Sequence, residues 1–222
     1  KLDPTRTRSN TNYDGINVYG DEVSTNIRAA SGLGVIPDMV IVKTRANSNG
    51  WFVYHKDIGN TKFLRLETTG AETTNAMWNN TSPTSDVFTI NANNFGASTS
   101  VAYCFAEKQG FSKFSNYIGN GNADGTFVYT GFSPAFVMVK ATSVTGENWQ
   151  LNDNKRKTFN VNSTSLFPNT NGAESTDGMY IDMLSNGFKA RETGNGTNGS
   201  GVSYIYMAFA ENPFTTSTGV PA

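Results

Sequence analysis

The chain holds a single histidine, His55, and a single cysteine, Cys104, and that scarcity bounds the chemistry open to it. A zinc-type centre draws on several nitrogen and sulfur ligands, so no metal site is expected. A thiol beside an imidazole can form an activated nucleophile. Cys104, however, lies inside the apolar run Val101-Ala-Tyr-Cys-Phe-Ala106, where a small buried thiol packs as an inert hydrophobe. Ser-His-Asp chemistry would depend on His55 alone, and no Gly-x-Ser-x-Gly elbow is present. Carboxylates are the remaining acid–base groups. Glu72 and Glu174 recur in matched phrases, as do Glu107 and Glu211, while Asp57, Asp177 and Asp182 have no matched partner. A glycosidase sets two carboxyls about 5–10 Å apart across a sugar cleft. Glu107 and Glu211 each end a matching apolar run, where tying down a loop is the simpler role. No catalytic residue is expected.

Binding chemistry is more promising. Trp78 and Tyr180 occupy matched places in polar surroundings, Thr-Asn-Ala-Met-Trp-Asn-Asn and Thr-Asp-Gly-Met-Tyr-Ile-Asp. An aromatic face beside amides and carboxylates is what a sugar site uses, the ring lying on the pyranose and the polar groups taking its hydroxyls. Trp78, Tyr180, Asn79 and Asp182 are therefore the expected glycan contacts, with rim packing by the two rings as the plainer alternative. Trp51 and Trp149 sit in matched strand-like runs, so core packing is expected of them. The loop Gly119-Asn-Gly-Asn-Ala-Asp-Gly125 offers oxygens for calcium but only one carboxylate and no calcium-loop spacing. It reads as a plain turn. Asn-x-Ser/Thr triplets such as those at Asn79, Asn162, Asn195 and Asn198 follow from an Asn/Thr/Ser-rich composition. No cofactor is implied.

These residues are positioned by a chain that says nearly the same thing twice. Residues 34–43, Gly-Val-Ile-Pro-Asp-Met-Val-Ile-Val-Lys, are echoed by residues 131–140, Gly-Phe-Ser-Pro-Ala-Phe-Val-Met-Val-Lys. The echo continues through Trp51 with Trp149, Gly70-Ala-Glu72 with Gly172-Ala-Glu174, Phe88 with Phe188, and Phe105-Ala-Glu107 with Phe209-Ala-Glu211. Matched blocks whose spacing drifts are packed elements joined by tolerant loops.

Within each half, β-branched apolar runs such as Met39-Val-Ile-Val-Lys43 and Phe136-Val-Met-Val-Lys140 follow a proline and predict central strands. Trp51–His55, Val87–Ile90, Val101–Ala106 and Tyr204–Phe209 predict further strands, and Thr61–Leu66 alternates as a half-wet strand should. Polarity comes from Asn, Thr, Ser and Gly, which suits turns and disfavours helices. The expected fold is all-β: two tandem antiparallel β-sandwich repeats of jelly-roll or concanavalin-like type. Residues 14–109 form the first, residues 110–214 the second, with a lead-in over 1–13 and a tail over 215–222. The chain opens with Lys and has no signal-like stretch, as a fragment or processed product would.

The formal charge is −1 and 16% of residues are charged, so no basic field draws nucleic acid or anionic lipid. No apolar run approaches a membrane span.

The phrases Tyr103-Cys-Phe-Ala-Glu-Lys-Gln-Gly-Phe-Ser-Lys113, Gly119–Phe132 and Tyr204-Ile-Tyr-Met-Ala-Phe-Ala-Glu-Asn-Pro-Phe214 resemble a domain of unknown function. It recurs near the C-termini of tail-associated and structural proteins of marine bacteriophages. The resemblance covers residues 5–222 and supplies no catalytic or ligand residues. It implies a virion or extracellular setting and little chemistry. The expected function is a non-enzymatic structural protein of a tail fibre, spike or capsid appendage, whose repeated, low-charge, Asn/Thr-rich loops attach to a host-surface glycan or protein. Its partners would be other virion proteins and copies of itself, with a trimer expected by analogy with phage fibres. A purely structural cement or decoration protein, and a polysaccharide depolymerase using paired carboxylates, are the alternative readings.

Overall fold

A computed structural model of the chain describes residues 8–11, 17–20, 26–45, 48–95, 99–176 and 180–213. Apart from Arg8–Thr11, the expected lead-in lies outside the described residues, as does the expected tail. The chain divides into two compact units, one of Lys1–Arg65 with Glu72–Ala106, the other of Leu66–Ala71 with Glu107–Ala222. The described residues are all-β with almost no helix.

The first unit contains β1 (Arg8–Thr11), β2 (Asn17–Gly20), β3 (Asn26–Ala30), β4 (Met39–Thr44), β5 (Trp51–His55), β6 (Lys62–Arg65), β7 (Thr73–Thr74), β8 (Val87–Asn91) and β9 (Ser100–Phe105). A 3-10 turn over Ala76–Trp78 and a single helical turn, α1 (Ala92–Phe95), complete it. The strands form two antiparallel sheets, ordered β1-β2-β3-β8 and β7-β6-β5-β4-β9. β4 is central because Met39, Val40, Ile41 and Val42 are all buried; a strand apolar on both faces can only be covered on both. Val40 and Val42 share one core with Phe52, Tyr54, Phe88, Ile90 and Phe95, drawn from both sheets, so the packing is sandwich-like.

The second unit contains β10 (Ser112–Ile118), β11 (Phe127–Tyr129), β12 (Pro134–Ala141), β13 (Gln150–Asp153), β14 (Ile181–Leu184), β15 (Gly187–Ala190) and β16 (Ser203–Ala210). Its antiparallel sheets are ordered β10-β16-β12-β13 and β11-β15-β14. The core again draws on both: Val137, Val139, Tyr204, Tyr206 and Ala208 from one, Val128, Ile181 and Phe188 from the other. Tyr117 stacks on Tyr204 at 4.8 Å between ring centroids, in the offset range that aromatic quadrupoles favour. Gly187 belongs where it is because a Cβ there would stand 2.1 Å from the Val128 carbonyl oxygen.

Residues paired by the sequence echo make like contacts in their own units. Met39 lies opposite His55 and Phe105, while Phe136 lies opposite Asp153 and Phe209. Lys43 Nζ donates to the Asn49 carbonyl at 2.6 Å, and Lys140 Nζ donates to the Glu147 carbonyl at 2.6 Å. Arg45 N–H donates to Thr99 and Thr142 N–H to Ser203, each at 2.8 Å. Gly34 and Gly131, paired by the echo, both lie in the left-handed region that favours glycine, with φ at +68° and +85°. Beside them Leu33 N–H donates to Ser31 Oγ and Phe132 N–H to Thr130 Oγ1, both at 3.4 Å.

Candidate functional site

In the first unit, the side chains weighed for chemistry are built into the fold. β5 and β9 flank β4 on opposite sides, so His55 and Cys104 stand two strand spacings apart, about 10 Å. They also face opposite ways: Tyr54, the neighbour of His55 in β5, lies in the same core as the half-buried Cys104 packs against, and successive side chains alternate. Burial pushes the Cys104 thiol up to about 11. His55 is fully buried, and its Nδ1 accepts the Asp57 N–H at 3.2 Å. The corresponding Asp153 Oδ1 accepts the Lys155 N–H at 2.9 Å. Both residues cap a turn.

The matched carboxylates meet cations. Glu72 pairs with Lys62, Glu107 with Lys113 at 2.6 Å, Glu174 with Arg156 at 3.3 Å and Glu211 with Lys155 at 3.7 Å. Each of these pairs lies within one unit.

Trp78 is a core residue rather than the surface platform expected of it. Only 2% of it is exposed, its indole N–H donates to the Lys62 carbonyl at 2.9 Å, and its ring meets Tyr54 edge-on at 5.7 Å. The polar neighbours that made it look exposed, Asn75 and Asn79, flank the 3-10 turn, whose own Met77 and Trp78 are both buried. Asn79 closes that turn in the left-handed conformation, φ +50°, which asparagine tolerates better than most residues. Its Nδ2 donates to the Ile90 carbonyl at 3.0 Å.

Tyr180 and Asp182, in the second unit, are brought together on β14 and the residue before it. Tyr180 is 38% exposed, and its carbonyl accepts the Arg191 N–H at 2.7 Å. Asp182 Oδ2 lies 3.4 Å from Arg191 Nε, while its buried Oδ1 has no hydrogen-bond partner. Arg191 Nη1 also reaches Asp124 at 3.1 Å. A hydrogen bond from Lys189, with its charge and that of Arg191, holds the Asp124 carboxyl below the usual carboxylate range. The result is an exposed ring beside a polar, charged strip.

The loop weighed for calcium is organised by an asparagine instead. Asn198 is fully buried. Its Nδ2 donates to Asn120 Oδ1 at 2.9 Å, to the Asn122 carbonyl at 2.7 Å and to the Glu192 carbonyl at 2.8 Å. Its Oδ1 accepts the N–H groups of Asn120 at 3.1 Å and Thr126 at 3.3 Å. Among the described residues no group of three or more His, Cys, Asp or Glu side chains is placed to hold a metal ion. No helix among them is long and apolar enough to cross a membrane.

A surface pocket of about 310 Å³ opens in the second unit, lined in part by Asn154, Lys155, Lys157, Phe159, Asn160 and Glu211. Phe159 is 69% exposed. Sequence reasoning passed over it because Lys-Thr-Phe-Asn has no echo in the first half. The available signal was an aromatic between Thr158 and Asn160, just after Lys155 and Lys157.

Fold and surface together define an all-β protein of antiparallel sheets with half-open aromatic and amide-lined surfaces. The family model for Domain of unknown function (DUF7483) matches residues 9–213, and the chain belongs to that family. No curated protein and no solved structure matches it.

Proposed function

We propose that this chain is a non-catalytic, extracellular virion module, part of a tail fibre, spike or capsid appendage, that attaches to a host-surface glycan or protein. The observation that carries the adhesive reading is Tyr180, an exposed ring next to the Asp182–Arg191 ion pair. An aromatic plate with adjacent acceptors and donors is a sugar-binding surface in kind. The virion setting rests on the resemblance of Tyr103–Lys113, Gly119–Phe132 and Tyr204–Phe214 to a domain of bacteriophage structural proteins. Asn79 enters this reading only as a turn residue.

The two units are further read as tandem copies of one β-sandwich, jelly-roll or concanavalin-like in type. The like pairings of Met39 and Phe136, and the like lysine bonds of Lys43 and Lys140, support descent from one design. A homo-oligomer, a trimer by analogy with phage fibres, would convert weak contacts into avidity. Absence of catalysis is favoured by the burial of His55, the raised Cys104 thiol and the ion-paired glutamates. These pairings also stand against a depolymerase. A purely structural cement or decoration role is the second reading, and the burial of Trp78 favours it.

The test incubates the labelled chain with a panel of bacterial cells and extracted surface polysaccharides, with a reducing-end assay on the same tubes. Saturable binding without new reducing ends is expected, weakened in Tyr180→Ala. New reducing ends would make the protein an enzyme. No binding by the folded chain would leave the structural role. Sedimentation of a monomer at high concentration would overturn the oligomer.

A further inference from the structure

The geometry points to the Phe159 pocket as a binding site for an acidic sugar, a pyranose carrying a carboxylate or sulfate. At about 310 Å³ it falls at the small end of ligand pockets. Phe159 gives the apolar plate, and Lys157 Nζ lies 5.3 Å from its ring centroid, fixing a positive charge at the plate. Lys157 also donates to Ser163 Oγ at 2.8 Å, which holds that charge in place. Lys155 stands 3.7 Å from Glu211, too far for a hydrogen bond, so its ammonium keeps donors for an anion. Two lysines against one glutamate leave this pocket positive on a chain whose net charge is −1. Asn154 Oδ1 is buried in the wall without a hydrogen-bond partner. The wall itself is firm: Asn160 Nδ2 donates to the Met183 carbonyl and Asn160 Oδ1 accepts the Met183 N–H, both at 2.9 Å.

This inference deepens the adhesive reading by naming a ligand class, and it stands on residues other than Tyr180. The test titrates the full chain, followed by NMR and calorimetry, with three tetrasaccharides: a uronate oligomer, a sulfated oligomer and a neutral one of equal length. At least one acidic oligomer should bind with a dissociation constant on the order of 1 mM or tighter, about tenfold more tightly than the neutral one. Raising salt should weaken it. Phe159→Ala and Lys155→Glu should each weaken it about tenfold, while near-UV circular dichroism stays native, since both side chains are exposed. Whichever acidic oligomer binds names the anion. Equal affinity for neutral and acidic oligomers, binding indifferent to both substitutions, or no binding up to about 10 mM would overturn the site. Cell attachment that survives Phe159→Ala, with no acidic oligomer bound, would sink the pocket and spare the adhesive reading. Acidic oligomer bound without cell attachment would do the reverse.

Discussion

Lys140 donates from a fully buried ammonium to the carbonyl oxygen of Glu147 at 2.6 Å. Burial lowers its pKa to about 8, against a smaller opposing pull from the Glu147 charge. The unfolded chain holds that proton up to about pH 10.4. Between the two values the unfolded state binds more protons than the folded one, so stability climbs as pH rises.

The first expectation follows from that sign. Urea unfolding should show the native chain gaining about 1 kcal/mol on Lys140→Met between about pH 8 and pH 9. The raised thiol of Cys104, and at higher pH the raised phenols of Tyr117 and Tyr204, work the other way, but they do so equally in both proteins. A difference that stays constant across this range would refute the assignment.

Trp78 and Tyr180 share a place in the echo but not a role. Trp78→Ala should lose about 3–5 kcal/mol, as large core truncations do. Tyr180→Ala should change stability by less than about 0.5 kcal/mol while weakening attachment. Paired denaturation curves separate them, and equal losses would contradict the burial difference.

Asn198 joins five hydrogen bonds that hold the Gly119–Gly125 loop. Asn198→Ala strands several buried partners at once, so a loss of about 3 kcal/mol or more is expected. Hydrogen exchange at Asn120 and Thr126 should quicken in step, because their amides donate to this side chain. Unchanged protection there would remove Asn198 from its central position. The same burial closes this sequon to glycosylation in the folded protein.

Gly187→Ala forces a Cβ against the Val128 carbonyl, in backbone that cannot give without parting β11 from β15. A cost of about 1–3 kcal/mol or more is expected from thermal unfolding. A neutral result would mean the two strands separate easily.

Much of the strand plan was readable because it rests on local composition. Met39–Lys43 and Trp51–His55 were predicted almost to the residue, and β12 extends the predicted Phe136–Lys140 at both ends, since β-branched runs bounded by Pro and Gly have few other places to go. Alternation in Thr61–Leu66 marked β6 for the same reason. The site was less legible. The burial of Trp78 depends on a 3-10 turn whose flanking asparagines hide its inward ring. Asn198 looked like one more asparagine in a polar loop, because four of its five hydrogen bonds go to groups more than seventy residues away. Phe159 and Asn154 meet at the pocket through backbone turns that leave no periodic trace.

The half-buried thiol of Cys104 has a practical consequence. With its pKa near 11, almost none of it is thiolate at neutral pH. A cysteine engineered onto an exposed position, Phe159 or Tyr180 among them, will therefore react with a maleimide far ahead of it. The native chain can carry a single fluorophore or spin label at a chosen surface without first being stripped of its own sulfhydryl.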